Sequence, residues 1–434
     1  MTWTVSSGGG ALSQSVASVH RPMPNGGPVT WEHACWVGEI DTEAIPAEGM
    51  VVLDGWEGER TARLLVREAE RVRGFVSLAV NDGRVDADAL RAEIASLGDG
   101  DAVLTASRLP LVSVVLCTKD RPDMLAVALG SVLAVDYPHL DVVVVDNAPS
   151  DDGTERFLSG LDDPRVRRVL EPVAGLAGAR NTGIRAATGE IVAFTDDDVI
   201  VDRSWVRRLV AAFELTPDVG CVSGLVPSGE LRTPAQAYFD QRVTWSDAVT
   251  RRVFSLDQPP AGMPLFPFQV GEYGTGANFA VRRDVLLRLG GFDEALGVGT
   301  PSGGGEDLDM FVRVILGGWT LVVEPAAVTW HRHRADEASL TRQVGGYGRG
   351  LGAWLTKVMS SPATAPLAAR RGIVGLRRFA AVRSGSVSAR HAGSGSLPAE
   401  LVARLGRLEA RAVLQGPGAY WQGRRSGKKA RPLA

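Results

Sequence analysis

Cysteine is scarce in this 434-residue chain. Cys35, Cys117 and Cys221 are the only three, scattered beyond metal-ligand spacing and odd in number. Such a set excludes a disulfide framework and fits a reducing, cytoplasmic compartment. Long apolar runs are missing as well, and with no window of about 18 apolar residues no transmembrane helix is expected. The first 30 residues lack a basic segment followed by an apolar one. Their Gly, Ser and Pro content reads as a disordered tail and not as a signal peptide. Net charge is also low, at −3, so the whole molecule advertises no polyanion and no nucleic-acid partner is expected. The charge is uneven, however. Beyond residue 340 there are 17 Lys and Arg against two acids, Glu400 and Glu409. A basic end of this kind suits a peripheral contact with an anionic membrane face, a phosphate-bearing acceptor, or plain solvation.

What is present divides the chain into four parts. Residues 31–108 read as a small accessory α/β module, with strands at 50–53 and 74–80 and helices at 59–73 and 86–97. Between 109 and 335 short β-branched runs at 112–117, 142–145, 166–170 and 191–194 alternate with helical patterns at 123–134, from about 150, and at 177–187. That alternation predicts a mostly parallel sheet covered by helices on both faces. The remainder, 336–434, reads as a helical basic region. It comprises an amphipathic stretch at 340–358, a Ser/Gly-rich linker at 384–396, a basic helix at 398–414 and a disordered end from 423.

Open parallel sheets bind ligands where their strands end at the carboxyl edge. Three polar clusters fall there: Thr118-Lys119-Asp120-Arg121, Asp146-Asn147, and the triplet Asp196-Asp197-Asp198. A buried strand that stops on stacked carboxylates must neutralise them with solvent or with a hard divalent cation. Farther on, Glu306-Asp307 follows the glycine run 303–305, and Trp330-His331-Arg332-His333 follows an apolar strand.

The region 111–335 resembles family 2 glycosyltransferases with the GT-A nucleotide-sugar-binding fold. The likeness is carried by Val112-Ser-Val-Val-Leu-Cys-Thr-Lys-Asp-Arg-Pro122, Val144-Val-Asp-Asn-Ala-Pro-Ser-Asp-Asp-Gly-Thr154, Gly175-Leu-Ala-Gly-Ala-Arg-Asn-Thr-Gly183, Phe194-Thr-Asp-Asp-Asp198, Gly290-Gly-Phe-Asp-Glu294 and Gly305-Glu-Asp-Leu-Asp309, in that order. The second departs from the commonest form, which has Asp-Gly-Ser where this chain has Asn147-Ala148-Pro149.

The resemblance implies an inverting transfer from a nucleotide-diphosphate sugar to a sugar, lipid-linked or small-molecule acceptor. It assigns Asp198, with Asp196 and His331, to Mg²⁺ or Mn²⁺, and leaves Asp197 in a variable middle position beside the nucleotide. Asp146 would meet the nucleobase, and Thr118 and Arg121 would lie over the nucleotide. Arg180 and Asn181 would face the diphosphate. Asp307 would act as general base with Glu306 positioning the acceptor or Asp307 itself; adjacent carboxylates raise one another's pKa. Gly276 and Asn278 would line the acceptor side; Trp330 could stack on a sugar face there, with core packing its favoured role. A sugar-phosphate nucleotidyltransferase would need a Gly-rich, Lys-containing signature after the first strand, which residues 118–122 lack. A non-catalytic sugar-nucleotide-binding scaffold would lack the acids that this chain retains. The whole reading requires the 196–198 and 306–307 clusters to converge.

Overall fold

The computed structural model describes residues 17–24, 26–372 and 397–426. The linker predicted at 384–396 and the extreme ends of both tails lie outside these residues. Among the described residues no helix is long and apolar enough to cross a membrane.

The N-terminal module comprises β1 (Ala17–Val19), β2 (Cys35–Asp41), β3 (Met50–Leu53), β4 (Thr61–Glu68), β5 (Arg71–Ala79), β6 (Arg84–Asp86) and α1 (Ala87–Ala95). Two three-stranded sheets, β1-β3-β6 and β2-β4-β5, close on Trp36, Leu64, Val85 and Leu90. Asp86 caps α1 by accepting the Ala89 N–H at 2.8 Å.

Two expectations are corrected here. The helix predicted over 59–73 is a hairpin of β4 and β5 that turns at Ala69, with φ at 53°. β4 lies between β2 and β5 and is buried on both faces, so its apolar run is continuous and shows no period of two. Its Ala, Leu, Arg and Glu favour helix only weakly, and strand pairing overrides them. The tail predicted to be disordered contributes β1, which pairs in parallel with β3, and places Met23 in the core at 5% exposure.

This module docks through buried arginines. Arg63 reaches Asp240 at 2.7 Å and Arg67 reaches Asp202 at 3.1 Å.

The strands of the main sheet are β7 (Val112–Thr118), β8 (Leu140–Asn147), β9 (Val166–Glu171), β10 (Ile191–Asp196), β11 (Val199–Val201), β12 (Val219–Leu225), β13 (Arg252–Phe254), β14 (Phe279–Arg282) and β15 (Thr320–His331). Their order is β11-β15-β12-β14-β10-β7-β8-β9, with β13 on β15. β10, β7, β8 and β9 are mutually parallel. β14 runs antiparallel between β10 and β12, where the sheet becomes mixed. The covering helices are α2 (Pro122–Leu133), α3 (Gly153–Ser159), α4 (Leu176–Ala186), α5 (Trp205–Ala212), α6 (Pro234–Arg242), α7 (Arg283–Leu289) and α8 (Glu306–Leu316).

Residues alternate between two cores, Val115, Val143 and Phe194 on one face and Val114, Val142 and Ala193 on the other. The predicted α/β class, with a parallel-rich sheet, a small N-terminal module and a helical C-terminal region, is what the chain adopts. The connections run β7 to β8 to β9 in one direction, and then β10 returns to the other side of β7. That reversal opens a crevice between the carboxyl ends of β7 and β10.

The C-terminal region is a pair of long helices, α9 (Glu337–Ser360) and α10 (Ala399–Ser426). Glycine lets them touch. A Cβ on Gly352 would lie 2.1 Å from the Val413 carbonyl, and one on Gly416 would lie 2.2 Å from the Gly352 backbone. α10 runs to Ser426, so residues 423–426 are helical where a disordered end was predicted.

Candidate active site

The register of the parallel strands sets the first layer of the site. Asp196 stands opposite Cys117 across β10 and β7, and Thr118 stands opposite Asp146 across β7 and β8. The three clusters predicted at the carboxyl edge are therefore neighbours in space.

The Asp triplet does not aim its carboxylates together; each finds a different cation or donor. Asp196 accepts from Arg180 at 3.2 Å and keeps 29% of its side chain exposed. Asp197 accepts from the Thr118 hydroxyl at 2.7 Å and from Arg121 at 3.2 Å. Asp198 meets His331 Nε2 at 3.1 Å and Arg334 at 3.2 Å. Antiparallel pairing of Val199 with His331 brings that histidine alongside.

The electrostatics follow. Burial pushes Asp196 up to about 6 against the pull of Arg180, with Asp198 adding to the rise. Burial would also raise Asp198, but His331, Arg334 and Arg121 hold it well below the usual carboxylate range. His331 is raised, because the charge and hydrogen bond of Asp198 outweigh burial.

Asp146 is fully buried. Its Oδ2 accepts from Arg168 Nε and Nη2 at 3.0 and 2.9 Å, while Oδ1 has no partner. A buried carboxylate oxygen without a donor is costly unless a ligand supplies one.

The second layer comes from the N-terminus of α8. Asp307 Oδ2 accepts the Gly276 N–H at 2.9 Å, and Oδ1 accepts its neighbour Leu308 N–H at 2.8 Å. Glu306 is buried and accepts from Arg180 at 3.0 Å. Burial first and Asp307 second push Glu306 up to about 7, with Arg180 opposing them. The mutual repulsion predicted for the acidic pair thus appears on Glu306.

Four residues expected to contact ligand already have partners or packing within the fold. Arg180 lines the cavity but is 2% exposed and spends its donors on Asp196, Glu306 and the Gly276 carbonyl at 2.9 Å. Asn181 is spent on the 292–294 turn, donating to the Phe292 carbonyl and to Glu294 and accepting the Phe292 N–H. Asn278 is fully buried, with Nδ2 on the Leu225 and Ala327 carbonyls and Oδ1 accepting from Trp205. Trp330 is 3% exposed in the core and has no free face for a sugar.

Among the described residues no group of three His, Cys, Asp or Glu side chains is placed to hold a metal ion. The carboxylates of Asp196 and Asp198 are nevertheless oxygen donors of the kind a hard divalent cation takes. Mg²⁺-type ions are held by one or two carboxylates together with phosphate oxygens and water, and need no all-protein cage. Asp196 keeps part of its side chain open, and burial with the neighbouring Asp198 raises it against the pull of Arg180.

Asp196, Glu306, Asp307 and Gly276 share one cavity of about 340 Å³. Its outer walls come from residues that sequence reasoning missed: Tyr238, Phe239 and Trp245 on one side, Val344, Tyr347 and Leu351 of α9 on the other. The apolar face of α9 was visible in the sequence, but not what it would face. Arg168 and Arg334 were missed as partners of Asp146 and Asp198, because nothing local marks them.

A switch-point crevice ringed by carboxylates defines an α/β protein with a polar catalytic edge. Residues 113–290 match the model of Glycosyl transferase family 2. A glucosyl-dolichyl phosphate glucuronosyltransferase of Haloferax volcanii is 29% identical over 191 residues, covering 43% of this chain and 57% of that protein. A pre-mycofactocin glycosyltransferase of Mycobacterium tuberculosis is 33% identical over 163 residues, covering 37% and 31%. The chain thus spans less than two thirds of the length of either relative. Among solved structures, a mannosyltransferase of Pyrobaculum calidifontis in complex with GDP-Man and Mn²⁺ is 23% identical, with 76% of this chain and 90% of that one covered and a TM-score of 0.45.

Proposed function

We propose that this chain transfers a sugar from a nucleotide-diphosphate donor to an acceptor hydroxyl, with inversion at the anomeric carbon. The observation that carries the reading is the single guanidinium of Arg180, which ties Asp196 to Glu306 and so brings both acidic clusters to one cavity. Asp146 Oδ1, buried and without a donor, suits the imide N–H of a nucleobase. Arg121, 39% exposed beside Asp197, suits the donor phosphates.

Asp196, Asp198 and His331 would hold Mg²⁺ or Mn²⁺. Such an ion supplies Lewis-acid neutralisation of the charge that builds on the leaving diphosphate. Asp307 is the general base. It opens on the cavity, and its two oxygens are oriented by the Gly276 and Leu308 N–H groups. The acceptor proton passes to Asp307 as the oxygen attacks. Glu306, pushed up to about 7, is the second candidate for that role.

The chain works in the cytoplasm, and the basic C-terminal region makes a peripheral contact with the inner face of the membrane. A thermal-shift screen of nucleotide sugars with Mn²⁺, followed by nucleotide-release assays, tests the reading. A true donor raises the melting temperature by mass action. No stabilising donor and no nucleotide release would overturn it.

A further inference from the structure

The cavity beside Asp307 has two unlike ends. At the closed end stand the carboxylates Asp196, Glu306 and Asp307 with one guanidinium, Arg180, so the charge there is net negative. Such an end accepts a neutral hydrogen-bond donor and repels an anion.

The other end is apolar. Phe239 packs on Tyr347, with ring centroids 5.7 Å apart, and on Trp245 at 6.4 Å. Val298, 58% exposed, and Tyr347, 39% exposed, present bare apolar surface along the same cavity.

Several polar groups of these walls already have partners. Arg242 is paired with Glu409 at 2.7 Å, the Thr244 hydroxyl donates to the Gly271 carbonyl, and Arg180 is spent as described. A free sugar carries several hydroxyls, each needing a partner once buried. Here the acidic end offers most of the acceptors, beside the hydroxyls of Tyr238 and Thr275.

We propose that the acceptor is a neutral alcohol borne on an apolar body, seated with its hydroxyl at Asp307 and its body against Val298, Tyr347 and Leu351. This deepens the glycosyl-transfer reading and rests on it. The alcohol oxygen forms the bond to the anomeric carbon as the bond from that carbon to the diphosphate oxygen breaks. The electron pair leaves with the nucleoside diphosphate and the hydroxyl proton goes to Asp307. Tyr347 and Leu351 lie on α9, beyond the family match of 113–290.

The test uses the full chain and four probes: geraniol, glycerol, glucose and glucose 6-phosphate. Saturation-transfer NMR reads binding without turnover, and nucleotide release from the stabilising donor reads transfer. Geraniol is expected to bind and to accelerate release, while the three hydrophilic probes do neither. Tyr347→Gln and Leu351→Gln, both at solvent-facing edges of the cavity, weaken geraniol binding about tenfold each, whereas Leu351→Met restores it. Binding of glucose or glucose 6-phosphate in place of geraniol overturns the proposal. So does geraniol binding that survives both substitutions, or no binding by any probe. If geraniol binds in this pattern and no nucleotide is released from any donor, the transfer reading fails while the apolar alcohol site stands.

Discussion

Arg180 Nη1 donates to Glu306 Oε1 at 3.0 Å, joining two helices whose residues are 126 positions apart. The same guanidinium reaches Asp196, at the end of the central strand β10. It also lies over the rings of Phe279 and Phe292, at 5.8 and 5.6 Å. One buried cation therefore fixes where the helix carrying the proposed base sits relative to the proposed metal edge.

Removing that cation should be felt as stability. Arg180→Met leaves Glu306 buried without its partner, and breaking a buried pair costs about 3–5 kcal/mol. Adding Glu306→Gln removes the stranded charge and should recover part of the loss. Urea midpoints of the two variants decide it. An unchanged midpoint in Arg180→Met would show that the tie contributes nothing.

Asp307→Asn should keep donor binding and lose transfer by on the order of 10²–10⁴, the usual contribution of a positioned base. The donor-induced thermal shift stays while acceptor-dependent nucleotide release disappears. If Glu306→Gln abolishes release and Asp307→Asn leaves it intact, the base is Glu306.

The sheet and its acidic edge were legible because they rest on local signals. Short β-branched runs, alternating helices and strand-ending carboxylates are all printed in the chain. The orientation of single polar side chains was not. Arg180 and Asn181 of α4 and Asn278 just before β14 have sequence surroundings that suggest ligand contacts, yet Arg180 and Asn181 each meet a backbone carbonyl 96 or more residues distant. For Arg180 and Asn181 such partners lie beyond any local pattern. Asn278 follows the same logic through Trp205, 73 positions away. The hairpin at 61–79 was hidden for a related reason, since strand pairing with β2 decided what local propensity could not.

Asn278→Ala follows from that correction. It leaves the Leu225 and Ala327 carbonyls and the Trp205 indole N–H unsatisfied in a dry interior, at about 1–3 kcal/mol for each group so stranded. Thermal melts should show a clear loss. An effect on acceptor KM with an unaltered melting temperature would return Asn278 to the acceptor site.

Asp198→Asn should weaken divalent-cation dependence. It removes a charge that His331 and Arg334 now share. The Mn²⁺ concentration giving half-maximal donor stabilisation should rise about tenfold or more, as expected when a carboxylate ligand to a hard cation is lost. Metal titrations in the thermal-shift format measure this, and an unchanged midpoint would remove Asp198 from the cation site.

The last prediction concerns pH and stability. Burial, together with Asp307, pushes Glu306 from 4.5 up to about 7, with Arg180 pulling the other way and Asp196 adding a smaller rise. Between those values the folded protein keeps a proton that the unfolded chain has released. This group therefore favours folding at the acid end of the window, and its contribution declines as pH climbs from about 4.5 to about 7. Glu306→Gln cannot lose that proton. The stability of the variant relative to the parent should thus rise across the window, by on the order of 1–3 kcal/mol, and level off above it. Urea unfolding of both proteins from pH 4.5 to 8 makes the comparison. Parallel curves would mean that Glu306 titrates alike in the folded and unfolded chains, and the candidacy of Glu306 as a base near neutrality would fall with them.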